Sequence, residues 1–254
     1  MKTKFWHSIV LPILILIVWD LFTRFSTISP FILPDPLSIA IKFIENMKNG
    51  EFFSNTMISL KRSMGGFLVG SFLGIASGIL IGWSTFWEHL TDLLINFVRS
   101  VPKTALAPLF IVWFGIGDTS KILLIAFSSY FFTVIPTIEG VKNVDTILVK
   151  SAQSMGAGQW QIMTTVILPA SLPSIFAGIR LAVTTSLLVL VMVEIIAGND
   201  GLGFMLEEAR GNLNMATMFA TLLLLGILGY ALDSFMQFMG KILMPWRKGK
   251  TISV

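Results

Sequence analysis

Cysteine is absent from the 254 residues, which excludes disulfides, thiolate metal sites and a cysteine nucleophile. Charge is scarce as well. Asp, Glu, Lys and Arg make up 13% of the chain, against about 25% in an average soluble domain. Histidine occurs at His7 and His89 alone, with no carboxylate cluster at metal-ligand spacing, so no metal site is expected. Neither a G-x-S-x-G nucleophile elbow nor a GxxxxGKS/T phosphate loop occurs. No catalytic residue is therefore expected, and any energy from nucleotide must enter through another chain. The net charge of +4 is small and dispersed, unlike the dense basic stripe of a nucleic-acid surface.

What is abundant is apolar: 54% of residues, with mean hydropathy +0.82. Lipid is the solvent that such a surface fits. Six hydrophobic segments stand out, at Ile9–Phe25, Met64–Trp83, Leu93–Ile116, Ile122–Ile138, Pro173–Ala197 and Met215–Met239. A spanning helix needs about 20 residues, so the pattern predicts an all-α, polytopic membrane protein with six transmembrane helices. The first segment follows Lys2 and Lys4 like a signal peptide, but Trp19, Asp20 and Arg24 come where a small-residue cleavage site would stand. It reads as a retained span. Within the third segment, Arg99, Pro102, Lys103 and Pro108 break the helix, which is tolerated at membrane depth only beside protein or a water-filled cavity. These four residues are candidates for a translocation pathway.

Basic residues at Lys2, Lys4 and in the tail Pro245–Lys250 place both termini in the cytoplasm, and with six spans the interval Glu139–Leu172 as well. Lys42, Lys48, Lys61 and Arg62 then fall outside, in a 26–63 interval that looks like an amphipathic surface segment. Gly66, Gly70, Gly74, Gly78 and Gly82 recur every four residues, a groove that lets another backbone approach closely. Glu194 lies among apolar neighbours in LVLVMVEIIAG and must face the bundle interior or water. It is either a pathway residue, an anchor paired with Arg180, or a residue near the outer interface. Arg180 and Asp233 are expected to snorkel toward headgroups, and Arg99 and Lys103 to pair with acidic neighbours or attract an anion.

The stretch KSAQSMGAGQWQIMTTVILPASLP, Lys150 to Pro173, has a different character. Leu148, Ala152 and Met155 lie at helical spacing, Gly156-Ala157-Gly158 interrupts, and Trp160, Met163, Thr164 and Ile167 form a second stripe. A lipid-bound amphipathic loop would carry more cations than Lys142 and Lys150. Small residues such as Ser151, Ala152 and Ser154 around a glycine corner suit close contact with a protein partner.

This stretch resembles the EAA loop of ABC importer permeases, whose pattern is roughly E-A-A-x-x-x-G followed by I-x-L-P. Ala152, Gly156, Ile167 or Val166, Leu168 and Pro169 carry the match. Lys150 stands at the glutamate position and Ser151 at the first alanine. The stretches ILPDPLSI at 32–39, RSVPKTALAPLFIVWFGIGDTSKI at 99–122 and GLGFM at 201–205, with the glycine-rich run, are similar to the nitrate/sulfonate/bicarbonate (taurine-type) branch. The resemblance implies a type I importer of two permease copies, a homodimer in this branch, with two ATPase subunits that bind ATP and magnesium and an extracytoplasmic substrate-binding protein. It implies a permease core at 56–240, preceded by an N-terminal helix and outer segment at 1–55 and followed by a basic cytoplasmic tail at 241–254. Lys150, Ser151, Ala152, Gln153, Met155, Gly156, Ala157, Trp160, Leu168 and Pro169 would then form the coupling helix in a groove of the ATPase, with Met155 and Trp160 as apolar knobs.

The expected function is the membrane-embedded permease of a prokaryotic cell membrane, carrying a small anionic solute of the sulfonate, nitrate or bicarbonate class. A thiamine pyrimidine precursor or riboflavin is the alternative cargo within the family. A stand-alone secondary transporter or channel, resting on Glu194, is the alternative of another class, and a membrane scaffold without a pathway is a third.

Overall fold

The computed structural model describes residues 2–25, 29 and 31–247, with side chains from Val10 to Trp246 within those bounds. The expected basic ends, Lys2 and Lys4 at the start and Arg247 to Lys250 at the finish, lie outside the described side chains. Among the described residues all regular structure is helical. The order is α1 (Lys2–Phe25), α2 (Pro36–Lys48), α3 (Glu51–Trp83), α4 (Thr85–Ser100), a single turn Lys103–Leu106, α5 (Ala107–Phe114) and α6 (Asp118–Lys142). Then come α7 (Thr146–Ser154), α8 (Gln159–Ile162), a wide turn Met163–Ile167, α9 (Leu168–Ala197), α10 (Leu202–Gly211) and α11 (Met215–Leu243).

Four stretches are long and apolar enough to cross a bilayer: α3, α6, the run Gln159–Ala197 and α11. A fifth crossing is the pair Thr85–Ser100 and Lys103–Phe114, bent by 87°. The 24 residues of α1 supply the sixth apolar helix, its side chains from Val10 to Val18 mostly exposed. The sequence places the start of the second segment too late. Asp35 caps α2 by accepting the Ser38 amide (3.0 Å), and Pro36 opens the helix where its missing N–H costs nothing. After Gly50, in the left-handed region at φ 82°, α3 begins at once and runs unbroken for 33 residues. Residues 36–63 of the 26–63 interval are thus α2 and the first turns of α3, joined at Asn49-Gly50, and the expected boundary at 55/56 falls inside a helix, as does that at 240/241.

The bend has a local cause. Val101 precedes proline and is driven to extended backbone (φ −75°, ψ 128°), and Pro102 has no N–H with which to continue the helix. Pro108 does not break anything. It stands at the second position of α5, where proline is tolerated.

The core is a bundle of α3, α6 and α9. The glycine row of α3 lies directly on α6: a methyl at Gly66 would stand 2.6 Å from Ile125 Cβ, at Gly74 2.8 Å from the Tyr130 carbonyl, at Gly78 2.7 Å from Thr137 Cβ and at Gly82 2.8 Å from Val141 Cβ. At Gly70 it would collide with the Ala126 carbonyl. Ascending numbers face ascending numbers, so α3 and α6 run in the same direction. Both ends of the bundle follow from this. The C-termini of α3 and α6 and the start of α9 share the end that carries α7 and α8, whereas α10 closes the opposite end.

Candidate functional site

The corner between α7 and α8 is a closed, rigid turn. Asp145 caps α7 through the Ile147 amide (2.8 Å). At the other end Gly156 adopts φ 83°, its amide bonds the Gln153 carbonyl (2.9 Å) and the Ala157 amide reaches the Ala152 carbonyl (3.1 Å). These paired bonds are a Schellman ending, which requires a left-handed residue at that point. Gly158 then leads directly into α8, which merges through the wide turn into α9, with Leu168 and Pro169 opening that helix. The corner is thereby continuous with a helix of 30 residues.

The corner shows one face to the bundle and another to its surroundings. Ala152 is buried and packs with Val141, Ile162, Met163 and Ile167. It is therefore a packing residue rather than a contact for a partner, which corrects the expectation for that position. The reason is the helix phase: Ala152 and Met155 are three residues apart, yet Met155 lies at the helix end, where the chain turns outward. Met155 is 82% exposed and Trp160 79%. Lys150, Ser151, Gln153 and Gly156 are exposed too, and Ala157 is half-buried. Two large apolar side chains held into the open by a rigid corner form a surface that water does not favour.

The opposite end holds a buried ionic cluster. Glu194 is fully buried and is not among the walls of the cleft described below, and its partner is Arg62, not Arg180. Arg62 Nη1 donates to Glu194 Oε1 (3.1 Å), its Nη2 to Asp200 Oδ1 (2.5 Å) and its Nε to Asp118 Oδ1 (2.8 Å). Ser59 Oγ lies 3.0 Å from both Glu194 oxygens and accepts the Leu202 amide (2.9 Å). The Gly203 amide donates to Glu194 Oε2 (2.9 Å), which ties the carboxylate to the start of α10. Gly201, at φ 99°, sits against this carboxylate with no room for a side chain. Lys121 is buried on the adjoining turn of α6. The cluster pins α3, α6, α9 and α10 together, and sequence spacing placed Arg62 on an outer surface because its partners lie 56 to 138 residues away. The visible signal was Ser59, Arg62, Ser63 and Gly66, which share one helical face with the glycine row.

Between the two ends, α9 borders a cleft. One part, about 580 Å³, is an open cleft bordered by the bend after α4, by α6 and by α9; Arg99, Pro102, Lys103, Ser128, Phe131 and Leu188 are among its walls. A second part, about 900 Å³, lies between α9 and α11 and reaches Met244. Leu181 and Thr185 belong to both. Of the expected pathway residues, Arg99, Pro102 and Lys103 meet here, while Pro108 and Glu194 do not. Lys103 is not free to hold an anion. Its ammonium donates to the carbonyls of Val98 (2.8 Å), Arg99 (2.6 Å) and Val101 (2.9 Å), closing the C-terminus of α4, and lies 5.2 Å from the centre of the Phe131 ring. Arg180 and Asp233, expected to snorkel separately, form a two-pronged ion pair across the wider part (2.6 and 2.9 Å).

Residues 66–248 match the family of binding-protein-dependent transport system inner membrane components. A Bacillus subtilis chain named for aliphatic sulfonates transport, permease protein SsuC, is 36% identical, the match covering 94% of this chain and 87% of that one. The taurine transport system permease protein TauC of Escherichia coli is 32% identical over 91% of this chain and 86% of its own. Among solved structures, a chain of an amino acid ABC transporter superimposes with a TM-score of 0.67 at 17% identity, covering 78% of this chain and 97% of that chain. A chain of the MetNI methionine ABC transporter gives 0.63 at 22% identity, covering 74% and 91%. The structural likeness establishes the fold.

Proposed function

The chain belongs to the family of binding-protein-dependent transport system inner membrane components, the permease subunits of ABC importers, and from that premise we propose how its parts act. Two copies pair to enclose the solute path, each copy meeting one ATPase subunit at the α7–α8 corner, with ATP and magnesium held by those ATPases. The corner faces the cytoplasm, as do both termini, and the α10 end faces the binding protein that delivers the solute. The cargo is a small anion of the sulfonate, nitrate or bicarbonate class. Riboflavin or a thiamine pyrimidine precursor is the rival cargo; one relative, at 28% identity, is named for riboflavin transport.

The observation that carries the docking reading is the exposure of Met155 and Trp160 on a turn closed by hydrogen bonds. Such a pair fills pockets on a partner without first paying to order a loop. Closure of the ATPases would drive the two corners together, and α8, continuous with α9, would carry the displacement into the bundle. This is a shift between two packed arrangements, biased by nucleotide and by the loaded binding protein. The buried Glu194 weakens the stand-alone transporter alternative, because its carboxylate is already bonded by Arg62, Ser59 and Gly203.

Gly156→Leu tests this directly. A branched side chain at φ 83° is strained by about 1–2 kcal/mol, enough to open the corner without unfolding a bundle that Gly156 does not touch. The expected result is normal membrane insertion, loss of binding-protein-stimulated ATP hydrolysis and at least a tenfold fall in uptake. Uptake at the native rate would remove the coupling role from this corner.

A further inference from the structure

The α10 end of the bundle carries a second, polar cleft of about 460 Å³, open to the surroundings and walled by α2, the start of α3, α10 and the start of α11. Its lining is rich in carboxylates and amides, and most of these are engaged within the fold. Glu45 pairs with Lys42 (2.7 Å). Asn49 accepts the Glu51 amide (3.0 Å), Asn214 the Thr217 amide (3.2 Å) and Asn55 the Gly201 amide (2.8 Å). Three groups of the lining stand apart. Glu51 and Glu208 take part in no ion pair among the described residues. Asn46 is only 5% exposed, and its amide nitrogen has no hydrogen-bond partner. A buried donor without an acceptor costs free energy, so an acceptor brought to it is favoured there.

The rim adds a fourth feature. Leu213 stands between Asn212 and Asn214 of the lining, held at φ 56° with its side chain 60% exposed. The left-handed region strains a leucine and not a glycine, and nothing within the chain covers this side chain in return. Strain of this kind is characteristic of surfaces that make contacts.

Together these groups define an occupant. Two carboxylates call for a cation, and they repel lipid phosphate and an anionic solute alike, so the cleft lies off the solute path. Among the described residues no three carboxylates or histidines converge as a metal ion would need. Asn46 calls for an acceptor and Leu213 for an apolar neighbour. A polypeptide loop supplies all three. Resting on the importer reading above, we propose that this cleft is the seat for a basic loop of the substrate-binding protein. A Lys or Arg of that loop meets Glu51 and Glu208, a backbone carbonyl accepts from Asn46, and an apolar side chain covers Leu213. The seat abuts the turn at Gly201 through Asn55, so docking bears on the turn that joins α9 to α10.

The experiment uses the complete permease–ATPase complex in lipid nanodiscs and the binding protein encoded with it, as purified. ATP hydrolysis is followed against binding-protein concentration, at about 50 and about 300 mM salt. In Glu51→Gln/Glu208→Gln the half-maximal concentration should rise at least tenfold at low salt, with the rate at saturation retained. Most of its salt dependence should vanish, because the attraction removed is a screened one. Glu207→Gln is the control: it neighbours Glu208 but pairs with Arg210, away from the lining, and should shift the value less than twofold. Asn46→Leu removes the unpartnered amide at similar volume, and Leu213→Gly relieves the backbone. Each should weaken docking severalfold without lowering the thermal midpoint of the complex, a combination that damage to the fold cannot produce. Asn212→Cys, the sole thiol of the chain, can carry a photoactivated crosslinker, and its adduct should map to a binding-protein loop containing Lys or Arg. An unchanged half-maximal concentration in the double variant would overturn the seat and leave the importer standing, as would adducts confined to a loop without a cation. Docking that strengthens with added calcium and fails with a chelator would give the two carboxylates to a metal ion and overturn the proposal as well. A native complex whose ATP hydrolysis ignores the binding protein at every concentration would remove the importer reading itself.

Discussion

At the scale of single residues, the most consequential side chain is Arg62, which joins three carboxylates at the α10 end of the bundle. An unpaired charge at this depth is costly, and breaking a buried pair by removing one partner typically costs about 3–5 kcal/mol. Arg62→Met leaves Glu194 with only Ser59 and the Gly203 amide, and a loss of that size is expected in thermal unfolding of the purified complex. Removing both charges in Arg62→Met/Glu194→Leu should return part of the loss, which a double-mutant cycle would read as coupling between the two. Glu194→Gln keeps the shape and removes the charge, leaving Arg62 with one carboxylate fewer, so abundance and uptake should fall together. A selective fall in uptake at normal abundance would restore Glu194 to the solute path. Glu194 was legible as a buried ionisable group because its neighbours are all apolar. Its partner was not legible, since nothing in SLKRSMGG distinguishes a cation on a surface from one turned inward. Lys103 was hidden in the same way: its three acceptors are carbonyls, which every residue has, and only the fold of the bend assembles them.

At the scale of elements, the glycine row was readable because helical spacing alone puts Gly66, Gly70, Gly74, Gly78 and Gly82 on one line. What faces that line could not be read, as α6 carries no complementary signature, only ordinary Ile, Ala, Thr and Val at the contacts. The interrupted α4–α5 crossing was readable for a comparable reason, since proline acts on its own neighbours. The wrong reading of Pro108 shows the limit: proline breaks a helix in its interior and starts one at its beginning, and the sequence did not say which applied. The start of α3 was missed because its first turns are polar, with Ser59 and Arg62 buried and Asn55 half-buried against the Asp200–Leu202 turn into α10, so the hydropathy that marks a span begins later than the helix does. Gly65 and Gly66 allow a controlled test. They are adjacent on α3, but Gly65 has no atom within 4 Å of an added Cβ, while Gly66 meets Ile125 and the Ile122 carbonyl. Gly66→Val should lower the stability of the folded chain by about 1–3 kcal/mol or more through overpacking, and Gly65→Val should be close to neutral. Equal damage from the two would mean that the α3–α6 approach does not depend on the groove.

For the whole molecule, the arrangement that matters is the separation of its two ends. The 25 residues of α6 extend about 37 Å, beyond a hydrocarbon core of about 30 Å, so the α7–α8 corner and the α10 loop lie on opposite sides of the bilayer. Which side is which rests on the basic residues, and the structure removes one objection to a cytoplasmic corner. Arg62 had counted as an outer loop charge, yet it is 6% exposed inside the bundle, where it carries no weight in the distribution of loop charges that sets orientation. The lack of cysteine makes the remaining question simple to answer, because any introduced thiol is the sole target. Met155→Cys should react with a membrane-impermeant maleimide in inside-out vesicles stripped of ATPase, and should be protected when the ATPase is restored. Asn212→Cys, on the exposed loop after α10, should react in intact cells and not from the inside. Reversed labelling would invert the protein and put Met155 and Trp160 beyond reach of any cytoplasmic ATPase. Labelling of both positions from one side would mean that α9, the long helix between them, does not cross the membrane. Labelling on opposite sides without protection at Met155 would confirm the topology and remove the ATPase from the corner.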